Sequence, residues 1–129
     1  MFMSQLLPQE IQIWYVLPVI RKELALVLIK EHKLSQKRTA EILGVSAPAI
    51  SQYINEKRAT DVRLTKAMKE EIQKSAQLLM QESGDMMEEL MKLLNHKLIQ
   101  ELVCNYHRAH SKEIKKDCDL CFPKTVLHT

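Results

Sequence analysis

The stretch Leu34–Arg58, LSQKRTAEILGVSAPAISQYINEKR, decides the fold. Ser35 has the chemistry of an N-cap, its hydroxyl able to accept from the backbone of a helix spanning Gln36 to Leu43. Gly44 follows where a left-handed residue is needed to end that helix. Ser46 supplies a second cap, and Pro48 fits the first turn of a helix from Ala47 to Asn55, where its missing N–H costs nothing. Ala40 and Ile42 face Ile50 and Ile54, and the small Ala40 allows a close crossing. The stretch therefore reads as two short helices joined by a tight turn, followed by Lys57 and Arg58.

Outward from that pair, the pattern stays helical. Ile20, Leu24, Val27 and Leu28 recur at three- and four-residue spacing from Pro18 to about Glu31. Pro8 opens a short turn over Ile11–Tyr15, and Trp14 and Tyr15 are expected to pack beside the next helix. Beyond Arg58, Thr60 or Asp61 is expected to cap a helix running to about Glu82, with Val62, Leu64, Met68, Ile72, Leu78 and Leu79 apolar. Ser83-Gly84-Asp85 breaks the pattern, and Asp85 caps a second helix from Met86 to about Tyr106. Each spans roughly 30 Å at 1.5 Å per residue. A break this short makes them an antiparallel hairpin.

Only two glycines and four prolines occur among 129 residues, and 46% are apolar. That composition disfavours a turn-rich β fold and supports an all-α chain. Three parts are expected: a helix-turn-helix head over 1–59, a helical hairpin over 60–106 suited to dimerisation, and a Cys/His tail over 104–129. No apolar run is long enough to span a bilayer. The N-terminus lacks a basic segment followed by an apolar one. The expected location is cytoplasmic, with no membrane partner.

The formal charge is only +3, but it is unevenly spread. Between Lys33 and Arg63 six basic residues (Lys33, Lys37, Arg38, Lys57, Arg58, Arg63) face three acidic ones (Glu41, Glu56, Asp61). A positive patch beside two short helices suits the phosphates of double-stranded DNA. The outer, N-terminal part of the second helix reaches base edges in such motifs. Here it offers Ala47, Pro48, Ser51 and Gln52. Ala47 and Pro48 can touch a thymine methyl, and Gln52 can pair with adenine. Gln36, Lys37, Ser46, Lys57 and Arg58 are better placed for phosphates. No arginine of this set is aimed at guanine, so part of the specificity is expected from DNA shape.

Residues 34–58 resemble the Cro/lambda-repressor-type helix-turn-helix. Residues from about Trp14 to Arg58 also resemble a group of archaeal-type predicted transcriptional regulators. The shared positions are Leu17-Pro18, Arg21, Leu24-Ala25, Leu28, Leu34-Ser35-Gln36, Ala40, Leu43-Gly44-Val45, Ser51-Gln52-Tyr53 and Lys57-Arg58. The resemblance implies a lambda-repressor-like head and transcription regulation. It also implies a Cys/His cluster near the C-terminus that holds a metal or a cluster.

The chain carries Cys104, His107, Cys118 and Cys121 as two C-x-x-[C/H] knuckles. Three thiolates and one neutral imidazole close a tetrahedral site. Zinc and an iron–sulfur cluster share these ligands, and both stay open. His110 is a spare that can replace His107. No catalytic triad, phosphate loop or paired carboxylates is visible, so a non-enzyme without a small-molecule substrate is expected. A symmetric homodimer through the hairpin suits a motif used in pairs. The alternative is a protein-binding adaptor or antitoxin-like module that uses the hairpin to hold its partner.

Overall fold

The computed structural model describes residues 7–55, 62–81 and 84–110. These form helices with no strand among them: α1 (Pro8–Ile11), one π-helical turn (Gln12–Val16), α2 (Leu17–Lys30), α3 (Gln36–Leu43), α4 (Ala47–Ile54), α5 (Lys66–Leu79), α6 (Met86–Asn95) and α7 (Lys97–His110). No described helix is long and apolar enough to cross a membrane.

Pro18 shapes the entry to α2. It lacks an N–H, and its ring crowds the carbonyl four residues earlier. The backbone answers by widening, and the Leu17 N–H reaches back five residues to the Gln12 carbonyl. Such π turns are local insertions within a continuous helix. The run from Pro8 to Lys30 is therefore unbroken, where the sequence pattern suggests two pieces. The turn leaves Ile13 and Trp14 about half exposed. Tyr15 stacks its ring on Tyr106 of α7, at 5.2 Å between centroids, rather than on the next helix, and Trp14 stays about half exposed.

α2 is the central element, packed against α3, α4 and α5. Its Ile20, Leu24 and Leu28 are wholly buried. Each contributes about 1.5–3 kcal/mol relative to an exposed position. They join one apolar core that takes Ile11 from α1, Leu43 from α3, Ile50 from α4, Ile72 from α5, Leu93 from α6 and Ile99 from α7.

Two expected boundaries need correction. α5 starts at Lys66, because Thr65 is the residue whose hydroxyl accepts from the Met68 N–H at 3.3 Å. The preceding Val62 is buried in a non-helical segment. The expected single helix from Met86 to Tyr106 is two helices divided at His96, whose backbone turns extended (φ −67°, ψ 138°). His96 Nδ1 accepts from the Leu98 N–H at 3.1 Å and so caps α7. Gln12 Nε2 donates to the Leu94 carbonyl at 3.0 Å, satisfying an acceptor at the end of α6. The helices are therefore shorter than expected, about 21 Å for α5 and about 15 Å for α6. α6 packs on α5, while α7 folds back onto α1 and the π turn.

Candidate nucleic-acid interface

The geometry of α3 and α4 is set by local chemistry. The Arg38 N–H donates to Ser35 Oγ at 3.0 Å, and Thr39 Oγ1 donates to the Ser35 carbonyl at 2.8 Å. Gly44 takes φ 67°, ψ 32°. The Val45 N–H then returns to the Ala40 carbonyl at 3.1 Å, which closes α3. Ser46 Oγ accepts from the Ala49 N–H at 3.2 Å and opens α4. Only Gly44, Val45 and Ser46 separate the helices.

α4 has two unlike faces. Ala49, Ile50 and Tyr53 are buried against the core. Ala47, Pro48 and Gln52 are exposed on the opposite side, and Ser51 is half-buried between them. Gln36 and Lys37 are exposed in the first turn of α3. The Ser46 hydroxyl oxygen is engaged as a cap, which leaves its proton as a donor. Lys57 and Arg58 lie outside the described residues.

Arg38 bridges Glu41 at 3.2 Å, with both side chains more than half exposed. Pairs of this kind contribute little in water, so a phosphate can compete for the guanidinium. Asn55, exposed at the C-cap of α4, adds an amide beside the outer face that is absent from the residues expected from the sequence. Its place as the last residue of the expected helix is the available signal. Tyr53 belongs to the core rather than to this surface.

The Cys/His set is only partly described. Cys104 and His107 sit three residues apart on α7, hence on one face of it. Both are more than nine-tenths buried. The His107 Nε2 is buried and finds no hydrogen-bond partner among the described residues. Cys118, Cys121 and the His110 side chain lie outside them. Among the described residues no group of three or more His, Cys, Asp or Glu is poised to hold a metal ion.

No curated protein and no solved structure matches the chain. The family match ends within α5 and does not reach the Cys/His set. Residues 27–77, from the second half of α2 into α5, match the family model HTH_3, Helix-turn-helix, and this part of the chain is a Cro/lambda-repressor-like helix-turn-helix domain.

Proposed function

We propose that this chain is a sequence-specific DNA-binding transcriptional regulator acting as a homodimer, a binding protein rather than an enzyme. The observation that carries the reading is the two-faced α4: its core side is filled by Ile50 and Tyr53, and its outer side, with Ala47, Pro48 and Gln52, is uncovered. Lys37, exposed in the first turn of α3, adds positive charge to the same helix pair. Gln52 is the candidate for adenine readout, and Gln36, Lys37 and Ser46 for phosphate contact.

Selection of bound duplexes from a random pool, followed by anisotropy titrations, tests this reading. Gln52→Ala should cost about 1–3 kcal/mol at one base position and relax preference there. Lys37→Ala should weaken all duplexes alike and lower the salt slope by about 1. Salt-insensitive binding, or binding indifferent to both substitutions, would overturn it.

The reading extends to a thiolate-rich site in which Cys104, His107, Cys118 and Cys121 hold zinc or an iron–sulfur cluster. In support, Cys104 and His107, whose buried Nε2 finds no hydrogen-bond partner among the described residues, share one face of α7. Zinc would supply a structural cross-link, whereas a cluster would supply redox chemistry. Metal analysis of anaerobically purified protein, with a visible spectrum, decides between zinc, iron and neither. Neither metal at stoichiometric amounts removes this part and leaves the DNA reading intact.

A further inference from the structure

The apolar surface of the described chain is not spread evenly. Met87 and Met91 are 74% and 55% exposed, and they stand one turn apart on the outer face of α6. The inner face of the same helix is filled by Glu89, Leu90, Leu93 and Leu94. Methionine at such positions suits adaptable apolar contact. Past Met86 lies a cleft of about 420 Å³ of mixed character, lined by Ile42, Leu79 and Met80 together with the polar Arg38, Glu41 and Gln81. Beside the methionine stripe, on one flank, lie Glu88 and Lys92, which bridge each other at 3.5 Å along the helix, Lys92 also reaching the buried Glu89 at 3.1 Å.

We infer that the outer face of α6 pairs antiparallel with the same face of a second copy of this chain, burying Met87 and Met91 about a two-fold axis. The inference rests on the dimeric regulator reading and locates its interface. Charge order selects both the occupant and the direction. A two-fold axis perpendicular to the helix brings like flanks together and reverses their order. With the register centred near residues 89 and 90, Glu88 of each copy meets Lys92 of the other. A parallel pairing would set the charged flank of one copy against the opposite, uncharged flank of the other. The face is thus complementary to itself in one orientation. Such charge placement fixes orientation and partner choice more than it adds affinity.

Sedimentation equilibrium of the full chain tests the pairing. The wild type should be dimeric at about 100 μM, and Met87→Glu with Met91→Glu should weaken the dimer at least about tenfold. Circular dichroism should show unchanged helix content, since neither methionine belongs to the core. Charge exchange supplies the second arm. Glu88→Lys alone places lysine against lysine twice, and Lys92→Glu alone places glutamate against glutamate twice. Each variant should self-associate less. An equimolar mixture restores both cross-pairs and should form the heterodimer in preference to either homodimer. A monomeric wild type, a dimer indifferent to the methionine changes, or a mixture without heterodimer enrichment would each overturn the inference. If the dimer ignores α6 while Gln52→Ala still alters base preference, this face fails and the DNA reading stands. If no duplex is bound by a dimer that responds at α6, the opposite holds.

Discussion

Gly44 sets the angle between α3 and α4 through the absence of one carbon atom. Its φ of 67° lies where a side chain strains the backbone by roughly 1–2 kcal/mol. A Cβ built there meets no atom within 4 Å, so conformation alone sets the cost. Gly44→Ala should therefore lower stability by about 1–2 kcal/mol. Gly44→Asn should lose less, since asparagine tolerates this region. Urea unfolding of the three proteins checks the order. A cost well above this range would show that space, not φ, is limiting. Lys33, exposed with φ 58°, shows the same fold tolerating such strain without a glycine where α2 gives way to α3.

At the scale of elements, capping chemistry decides where helices begin. The boundary at His96 makes a sharp case because an imidazole replaces the usual hydroxyl or carboxylate. His96→Ala removes the acceptor of the Leu98 N–H and should cost about 1 kcal/mol, whereas His96→Asn, a good cap, should restore most of it. Amide exchange in the first turn of α7 reads the effect locally. Loss spread evenly over the chain would count against a local cap. Ser35, Ser46, Gly44 and Asp85 were legible in the sequence because each acts through its own neighbours, five residues away or fewer. The two faces of α4 were legible for the same reason, since an eight-residue helix with Ile50 and Tyr53 on one side has few ways to pack. The break at His96 was hidden, because it depends on Gln12 from the far end of the chain reaching the Leu94 carbonyl. The start of α5 was hidden by competition, with Thr60, Asp61 and Thr65 all chemically able to cap. At Trp14, local spacing suggested burial, and the π turn forced by Pro18 rotated the indole outward. The candidate DNA face was readable as a set of residues. Asn55 was missed because the expected helix included it, whereas it is the C-cap just beyond Ile54.

For the molecule as a whole, the consequence of that long-range contact is cooperativity between the first and the last described helices. The N-terminal segment is held by α7 through the Tyr15–Tyr106 stack. It is held by the end of α6 through Gln12. Ile11 and Val16 from this segment share one core with Ile50 of α4 and Ile99 of α7. Small domains with a single core unfold in one step. Trp14 is the only tryptophan of the chain, and it sits about half exposed within this closure. Its fluorescence reports on the joint, and far-UV circular dichroism reports on all helices. In urea the two signals should share one midpoint and one slope. Tyr15→Leu, Tyr106→Leu and the double substitution then form a cycle, with a coupling of about 0.5–1.5 kcal/mol expected from the ring pair. All four proteins should keep coincident transitions while the midpoint falls. An earlier transition at Trp14 would instead divide the joint from the helix-turn-helix. Any signal arising at Cys104 and His107 on α7 would then have to reach α4 by a route other than the shared core.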